Sequence, residues 1–333
     1  MTPSSWTPSD LLQLSGSYWA TCALHAGVKL ELFTPLADTP RSAKELAAMR
    51  QAEPRGLAML LDALTAMALL EKQNDRYLAA PFAARYLSQD SADYLGHIIM
   101  HHHHLMSGWS RLDQAVASGA PVVRKQVSKT DDEVQRESFL MGMFNLASML
   151  APGIAQQIDL SGRKRLLDLG GGPGTYATHF CKQNPQLSGV VYDLPTTRSF
   201  AEKTISRFGL ESRISFHEGD FHQDPVPAGF DVAWLSHVLH SDGPQGCAVI
   251  LRKGVEALEP GGLLLAQEFI LDDHKDGPLF PALFSLNMLI GTERGQAYAE
   301  GELAAMMREA GLRDIKRLEV KLPNGAGIMA GTV

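Results

Sequence analysis

The chain has 333 residues, 45% hydrophobic and 20% charged, with a net charge of -7 and an isoelectric point near 5.9. That length and apolar content can bury sizeable cores in two domains, and the acidic balance gives no general attraction to nucleic acid or to an anionic membrane. Cys22, Cys181 and Cys247 are too widely spaced for a disulfide or metal framework, residues 1–10 show no basic start or apolar leader, and no apolar stretch reaches the ~20 residues that span a bilayer, so a reducing cytoplasm is the expected setting.

Residues 1–105 read as a separate, almost wholly helical domain. Apolar spacing predicts helices over residues 11–33, 43–49 and 57–70. Pro54, in Gln51-Ala-Glu-Pro-Arg55, suits the first turn of the third. Residues 70–78 have a polar centre between extended-type flanks, the pattern of a hairpin. Helix, turn, helix, hairpin is a winged-helix outline and raises DNA binding as a rival function. Against it, the would-be recognition helix offers Arg55 and Asp62 and is otherwise apolar or small, whereas phosphate contacts need several Lys or Arg on one face. A helix apolar nearly all round is buried, and in a small domain the expected cover is a second copy. The 11–33 helix is a dimer-interface candidate on the same logic.

Residues 106–160 connect the halves through helical segments, among them 131–150, with a break at Ser118-Gly-Ala-Pro121. Strands are then predicted at 165–169, 189–193, 214–217, 231–235, 263–271, 315–320 and 327–332, and helices at 176–182, 196–208, 245–258 and 300–310. Alternation of this kind implies an α/β, doubly wound, mostly parallel seven-stranded sheet over residues 106–333. The last two strands, with no helix between them, should form an antiparallel hairpin at its edge.

The most informative segment is Leu166-Leu-Asp-Leu-Gly-Gly-Gly-Pro-Gly-Thr175. An apolar run ending in Asp168 and a turn with Gly170, Gly172 and Gly174 delivers a strand to a helix and lets a nucleotide-like ligand approach the backbone. The spacing is Gly-x-Gly-x-Gly and departs from the dinucleotide fingerprint. Asp193 ends the next apolar run, where a carboxylate meets ribose hydroxyls. Asp220, followed by Phe221, ends the third and could hold an adenine edge and face. His240 follows the 231–235 strand at the sheet's carboxyl end and can act as a general base. Glu268 follows the apolar start of the 263–271 strand, and Glu293 lies in the loop Gly291-Thr-Glu-Arg-Gly295. Carboxylates near an imidazole fix its tautomer.

The ordered set Asp168-Leu-Gly-Gly-Gly-Pro-Gly174, Tyr192-Asp-Leu-Pro195, Glu218-Gly-Asp220, Leu239-His240, Glu268-Phe-Ile-Leu271 and Gly291-Thr-Glu-Arg294 resembles the S-adenosylmethionine-dependent O-methyltransferases of the plant caffeate and bacterial polyketide type. The resemblance covers nearly the whole chain, including a winged-helix dimerisation domain at residues 9–88. It implies a class I methyltransferase fold (Rossmann-like), a swapped homodimer, S-adenosylmethionine as cofactor with S-adenosylhomocysteine as product, and methylation of a hydroxyl on a small, usually aromatic, acceptor. On it, Gly170 and its neighbours match the cofactor turn, Asp193 with Leu194 the ribose contact, and Gly219, Asp220 and Phe221 the adenine clamp. His240 matches the base, with Glu268 and Glu293 as its flanking glutamates. Where plant members read His-Asp-Trp-Ser-Asp this chain reads His240-Ser-Asp-Gly-Pro244, and Ser236 stands where they often place a lysine. Both departures favour a bacterial-type member.

Around the acceptor the resemblance implicates Met141, Met143, Phe144, Phe284, Asn287 and Met288. His97, His101 and His104 share one helical face and invite a metal reading, but no acid stands at ligand spacing and four adjacent histidines cannot all face one ion. No metal is expected; His104 and Trp109 are read as lining the acceptor cavity or the domain junction. Methyl transfer is an in-line displacement in which opposite charges meet, so a dry pocket favours it. Alternatives are N- or C-methylation, a repurposed cofactor, or a non-catalytic regulatory dimer. The intact His/Glu/Glu set speaks against the last.

Overall fold

The computed structural model describes residues 6–123 and 132–333, and the chain divides into two units, Met1–His104 and Leu105–Val333. In the first unit, a capping box between Thr7 and Asp10 starts α1 (Pro8–Gly16), and α2 follows as Tyr18–Lys29. The single helix expected over 11–33 is therefore two. They meet at Gly16-Ser17, where the Ser17 N–H turns back to the Leu14 carbonyl at 3.2 Å, a pair of the kind that interrupts helices. After β1 (Arg41–Ser42) come α3 (Ala43–Arg50) and α4 (Pro54–Ala66), whose first turn is capped by Glu53. β2 (Leu70–Gln73) and β3 (Arg76–Ala79) form the expected hairpin. Asn74 and Asp75, both at positive φ, make its two-residue turn.

β1 joins the expected hairpin in an antiparallel sheet of order β1-β3-β2, a strand beyond the two anticipated in this largely helical unit. Nor is α4 buried all round. It buries Leu57, Leu61 and Leu64 against its own unit, while Met59 is exposed and Asp62 takes Lys72 Nζ at 2.6 Å and the Tyr77 hydroxyl at 2.8 Å. The uncovered apolar surface lies instead on α1 and α2, where Leu11, Leu12, Leu14, Tyr18 and Trp19 are all exposed. α5 (Pro81–Leu87) is the last helix wholly within this unit, and α6 (Gly96–Trp109) begins in it and ends in the second.

The second unit contains α7 (Leu112–Ser118), ended by left-handed Gly119, and α8 (Glu133–Gln157), which runs past the expected end at residue 150 and through Pro152. Its expected start at residue 131 lies outside the described residues. Contrary to the sequence expectation, α8 is long and apolar enough to cross a membrane by length and composition. Its Ala151, Ile154 and Ala155, however, pack in the core with Leu166, Phe180 and Trp234.

The sheet is then built from β4 (Arg165–Leu169), β5 (Ser188–Asp193), β6 (Ile214–Glu218), β7 (Phe230–Ser236), β8 (Leu258–Leu271), a short β9 (Tyr298–Ala299), β10 (Arg313–Arg317) and β11 (Ala326–Thr332). Between them run α9 (Thr175–Gln183), α10 (Arg198–Arg207), α11 (Pro244–Glu256), α12 (Leu279–Gly291) and α13 (Glu300–Glu309). The order is β10-β11-β8-β7-β4-β5-β6, with β9 beside the end of β8. β8 through β6 are parallel and the β10–β11 hairpin is antiparallel. This is the class I methyltransferase fold, with one core on each sheet face. The chain proceeds outward from β4 to β6 and then returns to β4's other side as β7. That reversal opens a crevice at the carboxyl ends of β4 and β7. α12 was not anticipated, because its sequence is apolar apart from Ser285 and Asn287 and carries no helical period.

Candidate active site

At the end of β4, Gly170 has φ +70° and Gly174 φ +72°, conformations open to glycine and costly for other residues. Space is equally short. A Cβ at Gly170 would stand 2.8 Å from Val238 Cγ2 and 3.5 Å from the Phe221 ring, and one at Gly174 2.9 Å from Val191. The turn therefore packs directly on the loop after β7 and on the residue after Asp220, and it leads into the N-terminus of α9. Asp193 lies across from it: Oδ2 accepts from Gly172 N at 2.7 Å, and Oδ1 from Leu194 N at 2.7 Å and Thr197 Oγ1 at 3.1 Å. Burial nevertheless raises its pKa above the ordinary carboxylate value. Gly219 N donates to the Asp193 carbonyl at 3.0 Å, joining the ends of β5 and β6, and Asp220 Oδ1 accepts from His222 N at 3.0 Å.

Asp168 is placed differently from the other two acids. It is 1% exposed, lies beneath the glycine turn, and accepts from Ala177 N at 3.2 Å through Oδ2. Its Oδ1 has no partner. Burial, assisted by the neighbouring Asp193 charge, pushes it up to about 7. Register puts Asp168 beside Trp234, and Ser236 beside Gln267. Ser236 Oγ donates to Gln267 Oε1 at 3.4 Å. The Gln267 amide nitrogen is buried without a partner, a donor left over next to the position where the lysine is missing. A glycine cradle, a carboxylate over a helix N-terminus, an adjacent aromatic ring and a spare amide fit a nucleoside carrying an amino-acid tail.

His240 sits in a 3₁₀ turn, Leu239–Ser241, just after β7. Its Nδ1 is 2.8 Å from Glu268 Oε2, while Glu268 Oε1 accepts from Leu239 N at 2.7 Å. Glu268 is 2% exposed. Burial disfavours its charge, but the His240 and His237 imidazoles outweigh that and hold it down at about 2. An ionised Glu268 can only accept, so the hydrogen bond assigns the proton to His240 Nδ1 and leaves the Nε2 lone pair free. The ring meets Phe284 edge-on at 4.7 Å.

Glu293 does not join this pair. It is exposed, and among the described residues it makes no hydrogen bond or ion pair to His240. Its loop does reach His240 through the backbone, with Gln296 N on the His240 carbonyl at 2.9 Å. A Gly295 N to Thr292 Oγ1 bond at 2.9 Å closes a tight turn that carries Glu293 at its tip. The second group at Glu268 is His237, unremarked in the sequence although it stands three residues before His240. Its Nδ1 is 3.7 Å from Glu268 Oε2 and its ring 4.3 Å from Phe269.

Phe284, Asn287 and Met288 share one face of α12. Asn287 Oδ1 accepts from Trp109 Nε1 at 2.9 Å, and Phe284 packs with Phe269 at 4.7 Å, giving an aromatic wall beside His240. Met141 and Met143 are half-buried on α8. Phe144 is buried and lies under the Arg207 guanidinium at 5.4 Å. His104 belongs to the first unit.

Comparison with known proteins agrees with this geometry. The O-methyltransferase domain family matches residues 109–313, and the O-methyltransferase dimerisation domain family residues 12–89. Over 335 residues, 99% of this chain and 96% of the relative, the sequence is 36% identical to a 3-hydroxy-5-methyl-1-naphthoate 3-O-methyltransferase of Streptomyces sahachiroi. It is 33% identical to the N,N-dimethyltransferase OxyT of Streptomyces rimosus, over 91% of this chain and 90% of that one. The crystal structure of human N-acetylserotonin methyltransferase in complex with SAM superposes with a TM-score of 0.85 at 26% identity, covering 100% of this chain and 99% of the other.

Proposed function

The chain belongs to the O-methyltransferase family, and from that premise we propose that it methylates a hydroxyl of a small aromatic molecule, with His240 as general base. S-adenosylmethionine, when bound, supplies an electrophilic methyl group on a sulfonium. The observation that carries the assignment of the base is the 2.8 Å bond from His240 Nδ1 to a buried, ionised Glu268. It points the free Nε2 lone pair away from the carboxylate, and it stabilises the imidazolium that forms when Nε2 takes the acceptor's proton. Asp193 would accept from the ribose hydroxyls, Phe221 would cover the base, and the glycine turn would admit the ligand against backbone. Ser236 and Gln267 would meet the tail in place of the lysine.

The aromatic wall of Phe269, Phe280 and Phe284 holds a flat acceptor and excludes water, which favours a reaction whose transition state is less charged than its reactants. The exposed apolar residues of α1 and α2 pair with those of a second copy, making the enzyme a homodimer, and the free cysteines suit a reducing cytoplasm. An amine acceptor is the second reading, favoured by the similarity to OxyT. The test is transfer of labelled methyl into a panel of phenols and aromatic amines by wild type and His240→Gln. The variant should lose turnover by about 10²- to 10⁴-fold with cofactor affinity within a few-fold. Equal turnover in both removes His240 from the mechanism, and label only in amines selects the second reading.

A further inference from the structure

The donor atoms of His237, His240 and Glu268 lie within 4.8 Å of one another, and in the methyl-transfer chemistry His237 touches neither cofactor nor acceptor and only adds to the positive field at Glu268. Two imidazole Nδ1 atoms face the same carboxylate oxygen, at 2.8 Å and 3.7 Å. Ligands on a tetrahedral zinc ion at about 2.0–2.1 Å stand roughly 3.3 Å apart; the two separations to the carboxylate lie on either side of that value, and the separation between the imidazoles falls within 4.8 Å. His237 is held in this position by its own backbone: φ is +56°, and its N–H is tied to the Gln267 carbonyl at 2.8 Å. Histidine is among the residues that tolerate that left-handed conformation. The two side chains are 23% and 14% exposed, and His237 Nδ1 itself is buried, so an ion enters only as the ring moves.

We propose that His237, His240 and Glu268 form an inhibitory site for a zinc-class divalent cation. Two nitrogens and one carboxylate oxygen are the borderline donor set that zinc, cobalt and nickel take, and three protein ligands leave a fourth position open. Occupancy stops the reaction because the metal takes the His240 Nδ1 lone pair: the ring's proton then sits on Nε2, and the lone pair that would receive the acceptor's proton is gone.

Cobalt serves as the spectroscopic probe and zinc as the inhibitor, with chelated, metal-free dimer as the starting material. Two variants cover each other: His237→Asn keeps the left-handed backbone but offers only a weak amide oxygen, and His237→Phe keeps the packing on Phe269 and offers no donor. Wild type should show the visible absorption of tetrahedral cobalt. Zinc should inhibit it reversibly, with inhibition read as a fraction of each protein's own metal-free rate. Both variants should need at least about 10-fold more zinc, since losing a ligand costs no less than losing an outer-shell partner, and should lose the cobalt bands. Bands that persist in either variant would put the ion elsewhere and would overturn the proposal. So would equal zinc sensitivity. The cobalt spectrum is independent of the acceptor, so its failure leaves the methyl-transfer reading intact.

Discussion

The cofactor side and the acceptor side of the crevice are built on different principles. The cofactor side is made of strand ends and backbone: glycines at positive φ, N–H groups on Asp193, and an acid buried beneath the turn. The acceptor side is made of side chains on α12, on the last turns of β8 and on the loop after β7, packed ring against ring. A backbone cradle has few neighbours able to move aside, whereas an aromatic wall can repack. One side is therefore expected to be intolerant of small changes and the other to adjust, which suits a constant cofactor and variable acceptors.

The sharpest way to break that contrast is Gly170→Ala. The new methyl would meet Val238 at 2.8 Å in a left-handed backbone, where a side chain costs about 1–2 kcal/mol. If the turn shifts to relieve that strain, S-adenosylmethionine affinity by calorimetry should fall roughly 10-fold, since 1.4 kcal/mol is a factor of ten. The acceptor KM should change less. Unchanged cofactor binding would mean the turn is not the rigid part. Phe284→Leu is the reciprocal change. An edge-to-face pair contributes about 0.5–1.5 kcal/mol, so acceptor KM should rise several-fold while cofactor affinity holds; a loss confined to cofactor binding would erase the distinction.

The smallest effect expected is in stability against pH. Asp168 has its folded pKa raised to about 7 from 3.8. Its contribution is thus complete below the unfolded value and is lost as pH rises through about 7, where a carboxylate must ionise in the interior. Cofactor-free wild type should lose a few degrees of Tm relative to Asp168→Asn between pH 5 and 8, at about 2–4 °C per kcal/mol for a domain of this size. Parallel Tm curves for the two proteins would show that Asp168 reaches solvent.

The elements of the parallel sheet were the most legible part. Runs such as Arg165–Leu169 and Ser188–Asp193 are apolar, short and stopped by an acid or glycine, and strands covered on both faces read in that way. α12 was lost for the opposite reason: Leu279–Gly291 is apolar apart from Ser285 and Asn287, and Pro278 gives its N-terminus no side-chain cap. In the first unit the Gly16-Ser17 break went unseen because the apolar spacing continues across it.

The sequence by itself determined the order of strands and helices, the glycine turn and the acids at three strand ends, because these follow from local periodicity and conformational preference. Only the tertiary structure decided how they are used. The parallel register that sets Ser236 beside Gln267 brings Glu268 to His240 across 28 positions of sequence. The turn after α12 carries Glu293 outward, and a left-handed residue swings His237 in. Asp168, alike in sequence to Asp193, ends under the turn rather than at its mouth. A carboxylate's burial and partners depend on which strand lies next to it, and sheet order is a property of the whole chain.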